Sequence, residues 1–427
     1  MTTTSPQVPE HVPPELVVPF DQLNGPEVMH FPPTAALAPG KRVFYSSCHG
    51  GFWVFTKFED IRAIYQDAET FNQWPYGIPY NPFSKLFKPL YLNPPEHRPW
   101  RQVIAPLFAP RQLMRLEDYV RERTRQAIAE IAPKGRCEFV MEFCDAVPRD
   151  MFCFNLGLKH EDYPRFAYLA HELVFGQAEV IRKGGSVEDA RAYRKKINAE
   201  IDEIVAALIP ERRAHPGDDV ISILLNGEVN GQKLTDEDVT TMATLLFFAG
   251  TDSTRAATAY AFTYLARNPH HRDMLVRGEV PWKRATDELM RFHGFHMSAR
   301  VATRDVEVAG AQIKKGDVIT LSTGAANRDP ARFPNPDVVD FDRADAHSHL
   351  TFGAGEHRCA GSHLATMQVR IALEEVHKVI PDYRIDPEAP APGYVGGQGK
   401  VIPTNLTLVY TPVPVQSIPA ENPMAAH

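Results

Sequence analysis

Cysteine is scarce in this chain of 427 residues, and the five present (Cys48, Cys137, Cys144, Cys153 and Cys359) follow no regular spacing. An odd count without a CxxC pair argues against a disulfide framework and against a structural zinc site. No run of 18 apolar residues occurs, so no membrane-spanning helix is expected. Positive charge is not in excess: 46 Lys and Arg stand against 53 Asp and Glu, a formal net charge of -7, so nothing global points to nucleic acid. A GxGxxG turn after a strand is also missing, and GYVGGQGK lies too near the C-terminal end to open a dinucleotide-binding unit. The opening MTTTSPQVPEHVPPEL has neither a basic n-region nor an apolar h-region. The expectation is a soluble, cytoplasmic chain.

What is present is ordinary globular composition, with 44% hydrophobic and 23% charged residues. A chain of this length buries a large core and still has room for a cofactor cavity. No repeat or linker divides it, so residues 1–427 read as one domain with Pro-rich tails at 1–15 and 412–427. Arg42–Ser47 and Gly51–Thr56 suggest a strand pair with a Cys-His-Gly turn between, and FEDIRAIYQDAETF follows as a helix. Residues 72–95 are rich in proline and aromatics (Trp74, Tyr76, Tyr80, Phe83, Phe87, Tyr91), the composition of an ordered lid loop. From Pro95 to about Arg213 the pattern is mainly helical, and AEIDEIVAALIPERRA is amphipathic. Residues 234–269 predict a long helix, N-capped by Thr235, apolar around most of its circumference and therefore buried. Short strand-like runs follow in ARVATRDVEVAG, AQIKKGDVITLST and NLTLVYTP. The fold class is mainly α with small β-sheets.

Three segments carry chemistry. The first is Phe352-Gly353-Ala354-Gly355-Glu356-His357-Arg358-Cys359-Ala360-Gly361, a Gly-rich loop that delivers one Cys to the start of a helix. Backbone N–H groups at a helix N-terminus stabilise a thiolate, and glycines allow close approach to a flat ligand. The second is Glu288-Leu289-Met290-Arg291, whose Glu and Arg share a helix face and can pair. The third is Ala249-Gly250-Thr251-Asp252-Ser253-Thr254, an acid and hydroxyls inside the apolar helix. Such groups are costly to bury without partners, although Ser and Thr can bond back to the i−4 carbonyl.

The Cys loop resembles the haem loop of the cytochrome P450 family, FGxGxHxCxG, at every fixed position. The resemblance implies the P450 fold, with haem b (iron protoporphyrin IX) held between a long central helix and the Cys loop, and Cys359 as its proximal thiolate ligand. Glu288 and Arg291 match the family's buried ExxR pair, which also meets an Arg from a downstream loop; Arg328, Arg332 and Arg343 are the candidates. Asp252 and Ser253 take the places of the acid and alcohol that relay protons to dioxygen, with Thr254 in support. Ser in place of the usual Thr lacks the methyl that stiffens the rotamer. His97, Arg101, Arg300 and His357 match positions that anchor the haem propionates. Phe87, Leu245, Phe248, Ala249, His296 and Val301 match positions in the substrate-pocket wall.

PEHVPPELVVPFD and CHGGFWVFTKFEDIRAIYQDAETF are similar to the bacterial camphor-hydroxylase branch, and the likeness covers nearly all of residues 9–412. In the camphor enzyme a lid-loop Tyr bonds the substrate ketone. Counting back from PPEH, that position falls on Lys85, so camphor itself is not implied. The function implied is a haem-thiolate monooxygenase. It inserts one atom of dioxygen into a small apolar molecule (a terpenoid, norisoprenoid or small aromatic). Electrons would come from an iron–sulfur ferredoxin and its NAD(P)H-dependent reductase, docked near Arg98, Arg101 and Arg358, with no nucleic acid or membrane partner and the enzyme acting as a monomer. A peroxide-driven peroxygenase and a non-catalytic haem or apolar-ligand binder are the alternatives, and the Asp252–Ser253 pair weighs against both.

Overall fold

The computed structural model describes residues 8–21, 41–73, 87–397, 399–414 and 416. The predicted strand pair forms as β2 (Val43–Ser46) and β3 (Phe52–Phe55), an antiparallel hairpin inside a six-stranded sheet. The strands of that sheet run in the order β1 (Val17–Val18), β2, β3, β6 (Val318–Ser322), β5 (Met297–Ala302) and β4 (Phe71–Asn72). β2 and β3 are buried along their whole length. One face packs with Ile61, Ile64 and Tyr65 of α1 (Phe58–Gln66) in one apolar cluster, and Phe44, Phe52 and Val54 pack with Tyr260 of the long helix in another.

Helices make up the rest of the main body. α2 (His97–Ile104) and α3 (Pro110–Ile131) come first, with prolines near their starts where the missing N–H does no harm. α4 (Ala146–Leu156) and α5 (Val187–Ala214) follow, and α5 opens on a capping box between Ser186 and Asp189. α6 (Asp236–Arg267) is the predicted long helix. It has 32 residues, about 48 Å at 1.5 Å per residue. Thr235 caps it reciprocally with Asp238, and Asp236, Glu237 and Asp238 meet the positive end of its dipole. It is buried on nearly every side, with α4, α5 and the C-terminal helix against it. Gly250 stands where an added Cβ would lie 1.9 Å from the Phe152 ring of α4, so only glycine allows this approach.

α7 (Trp282–Phe292) carries the ExxR pair, and α8 (Ser362–Val379) begins just after Cys359. α8 is tied to α3 by Arg121 with Glu374 and Glu375, Arg125 with Glu375, and Arg370 with Glu117. Beyond it, β7 (Tyr394–Gly397) and β8 (Lys400–Pro403) form a separate hairpin from the segment GYVGGQGK. The strand-like runs of the sequence end up in different sheets: NLTLVYTP supplies Thr407–Val409 to a small sheet with Arg136–Glu138 and Arg384–Ile385. Most of the aromatic lid loop, Lys85 included, lies outside the described residues, as do most residues of the two tails. Among the described residues no helix is long and apolar enough to cross a membrane.

Candidate active site

A cavity of about 1400 Å³ separates α6 from the Cys loop. Cys359 lines it and is exposed to it, with protein on nearly every other side. Two turns make the loop. Gly353 and Gly355 both sit at φ +67, and a Cβ on Gly355 would lie 2.2 Å from the Tyr65 carbonyl oxygen of α1. The Cys359 N–H donates to the Phe352 carbonyl at 2.9 Å, which folds the chain back so that the thiol precedes α8. Burial pushes the Cys359 thiol up, while a bond from the Gly361 backbone and the charges of Arg101 and Arg358 pull it down. These donors stabilise the thiolate, the form that ligates a metal.

The loop is held from behind by the ExxR pair. Glu288 and Arg291 are wholly buried and share two bonds, at 2.7 and 2.8 Å. Arg343 joins them at 3.2 Å to Glu288, so of the three predicted arginines this one closes the cluster. Arg328 instead pairs with Asp337 and stacks over Phe292, and Arg332 pairs with Asp345. The remaining Arg291 donors reach the carbonyls of Asn327, Pro336 and Val338. Asn327 in turn bonds Leu350 N–H at 2.7 Å and the Thr351 hydroxyl at 2.9 Å, at the entry to the Cys loop. A buried ion pair is stable only with such full satisfaction, and here the partners are the backbone that aims the thiol.

His97, Arg101, Arg300 and His357 all line the same cavity. The His97 and His357 rings are 4.2 Å apart between centroids. Arg300 comes from β5 and stacks 5.1 Å over Tyr65, while Arg101 donates at 2.6 Å to the Arg358 carbonyl. Burial, then Arg101, lowers His97 to about 4; burial, then His97, Arg300 and Arg101, lowers His357 to about 3. Both imidazoles are therefore neutral near pH 7, with Arg101 near both and Arg300 near His357. The buried His357 Nε2 has no hydrogen-bond partner among the described residues. An orphaned nitrogen beside two arginines in a cavity suits a carboxylate-bearing ligand.

Across the cavity lie Asp252, Ser253 and Thr254 of α6. Ser253 bonds back to the Ala249 carbonyl at 2.7 Å, and Thr251 to Phe247 at 2.8 Å, which removes the cost of burying a hydroxyl in the helix. Asp252 is held from two sides: Arg255 Nη2 lies 2.5 Å from Oδ1, and Lys400 Nζ of β8 lies 2.5 Å from Oδ2. Burial alone would raise its carboxyl, but Lys400 and Arg255 more than offset that, so it sits below its usual range. Arg255 was legible as the i+3 partner of Asp252, whereas Lys400, 148 positions away, was not.

Phe87, Leu245, Phe248, Ala249 and His296 line the cavity. Val301 does not. Ser298 and Arg300 of β5 face the cavity, so by strand alternation Val301 points to the other face of the sheet. His296 lies beside Asp252 and Lys400, and burial followed by the Lys400 charge lowers it to about 4.

The cytochrome P450 family model matches residues 51–280 and 283–380. This chain belongs to the cytochrome P450 family. It is 33% identical over 415 residues to a probable cytochrome P450 127A1 of Sinorhizobium fredii, covering 93% of this chain and 96% of that protein. A methyl-branched lipid omega-hydroxylase of Mycobacterium tuberculosis is 28% identical, covering 78% of each chain. The crystal structure of cytochrome P450 CYP101C1 superposes with a TM-score of 0.84 at 30% identity, covering 94% of this chain and 99% of that one. Members of the family are oxidoreductases that carry haem b on a cysteine thiolate. The residues of this P450 fit that group. Cys359, just before the N-terminus of α8, would supply the thiolate, and the His357 Nε2 with Arg101 and Arg300 suits the propionates.

Proposed function

We propose that this P450 oxygenates a small apolar substrate of the terpenoid, norisoprenoid or small aromatic class, with electrons from an iron–sulfur ferredoxin and its NAD(P)H-dependent reductase. The observation that carries the substrate class is the wall facing Cys359. Phe87, Leu245, Phe248 and Ala249 present an apolar surface whose polar part is His296 beside the Asp252–Lys400 pair, so shape and burial select the ligand. Bound haem supplies reductive activation of dioxygen, with one oxygen atom entering the substrate and the other leaving as water. The protein does the rest. Cys359 ligates the iron, and His97, Arg101, Arg300 and His357 hold the propionates. The Asp252 carboxylate passes protons inward, and the Ser253 hydroxyl, half-buried at the cavity edge, hands them on. That this acid–alcohol pair lines the cavity supports the dioxygen route over direct use of peroxide.

Arg98 and Arg358 are exposed near the Cys loop and offer a positive face to an acidic ferredoxin. Arg101 is turned inward to the cavity and the Arg358 carbonyl, so its part in docking is indirect. A ligand screen by spin-state shift tests the reading. Terpenoids and norisoprenoids should shift the ferric spectrum at lower concentration than straight-chain fatty acids or steroids. Preference for the fatty acids or steroids would reject the proposed class. Neutralising Arg98 and Arg358 should slow the first electron transfer and flatten its salt dependence.

A further inference from the structure

The β7–β8 hairpin serves two places at once. Val395, Lys400 and Ile402 line the cavity, and Lys400 also grips Asp252. The hairpin is fastened to the segment before β5 and to α6. Gly399 and Phe295 carbonyls accept from Met297 and Val401 N–H at 2.6 and 3.1 Å, and the Tyr260 hydroxyl donates to the Val401 carbonyl at 2.9 Å. Gly399 is required there, since a Cβ would lie 2.6 Å from the Met297 carbonyl oxygen.

The two cations on Asp252 are not equivalent. Arg255 is three residues along the same helix and is fixed from its far side by Asp145, at 3.7 Å, which is itself held by Arg149 at 2.7 Å. Lys400 comes from another element on a flexible four-carbon stem, with only 15% of its side chain exposed. A displacement of the hairpin larger than the Lys400 stem can follow would separate Nζ from Oδ2 and leave Oδ1 on Arg255. His296, which pairs antiparallel with Lys400, is a further titratable group beside this contact, on the sheet side.

We propose that Lys400 is a positioning residue that latches the Asp252 carboxylate, and that a molecule filling the cavity against the hairpin releases the latch and frees Oδ2. This rests on Asp252 being the proton-relaying acid, and it adds a link from pocket occupancy to that acid. By linkage, an occupant that must displace the hairpin binds against the latch, and one too small to reach it does not.

The test uses the full-length, haem-loaded ferric protein and two probes, imidazole and 4-phenylimidazole, titrated by absorbance. Lys400→Met keeps the stem and removes the charge. It should tighten 4-phenylimidazole about 5-fold or more and leave imidazole unchanged, and Lys400→Arg should return both to the parent values. Asp252→Asn should give the same selective tightening, and the double variant no more than either alone. Equal changes for both probes, no change, or additive effects in the double variant would overturn the latch. If Asp252→Asn leaves turnover and its solvent isotope effect unaltered, Asp252 is not the proton relay, whatever the probe titrations give. A crystal structure of Lys400→Met with the Asp252 carboxylate unmoved and still fixed by a replacement contact would also reject the positioning role.

Discussion

Ser253 concentrates the question of efficiency into one hydroxyl. Its bond to the Ala249 carbonyl keeps the oxygen near the helix, but no γ-methyl restricts its rotation. Ser253→Thr is therefore expected to lower the share of electrons lost as peroxide once a substrate is known, and Ser253→Ala to raise it; peroxide released per NAD(P)H consumed measures both. Asp252→Asn keeps the shape and removes the proton-accepting charge. Turnover should fall on the order of 10²-fold with a larger solvent isotope effect. At Cys359, replacement by Ser removes the thiolate, and the ferrous carbon monoxide spectrum should lose the long-wavelength band that thiolate ligation gives.

Helix α6 and helix α7 solve different problems. α6 approaches α4 closely at Gly250, so Gly250→Ala must push the Phe152 ring aside. Overpacking of this kind costs about 1–3 kcal/mol, readable as a lower midpoint in thermal or urea unfolding. α7 carries a buried charge pair whose donors run on to Asn327 and thence to the Cys loop. Glu288→Gln leaves Arg291 and Arg343 without a counter-charge, a loss of about 3–5 kcal/mol. The expected result is poor recovery of folded, haem-loaded protein, and a variant with normal recovery and spectrum would remove the structural role. The helices themselves were legible because the 3.6-residue period and the Thr235 cap are local signals. The pattern of FEDIRAIYQDAETF predicts one helix, but the helix stops at Gln66 and Phe71–Asn72 joins the sheet beside β5. That end is set by a strand more than 200 positions away, which no local pattern records.

On the scale of the whole molecule, burial of imidazoles sets the response to acid. Burial lowers His296, His349 and His377 to about 4, against an unfolded value near 6.5. Between those values the unfolded chain binds protons that the folded chain refuses, so stability falls as pH drops from about 6.5 toward about 4. The melting temperature should decline through that window. His377, whose Nδ1 faces the Leu373 carbonyl at 2.7 Å and whose Nε2 meets the Tyr383 hydroxyl at 3.1 Å, lies on α8 away from the cavity. His377→Gln should lower stability at neutral pH and flatten the decline below pH 6.5; an unchanged slope would show that the other buried groups control it.

The sequence by itself determined the class of chemistry in this protein. Ten contiguous residues around Cys359 hold the ligand, its glycine turns and the helix start, and contiguity makes such a signal local and readable. It determined the ExxR pair and the acid–alcohol pair for the same reason, since i, i+1 and i, i+3 relations are fixed by the helix. The tertiary structure decided which groups charge and restrain those residues. It chose Arg343 over Arg328 and Arg332, turned Val301 away from the cavity, and brought Lys400 from a C-terminal hairpin onto Asp252. These depend on packing between elements far apart in the chain, where distance and burial, not spacing, set the electrostatic energy.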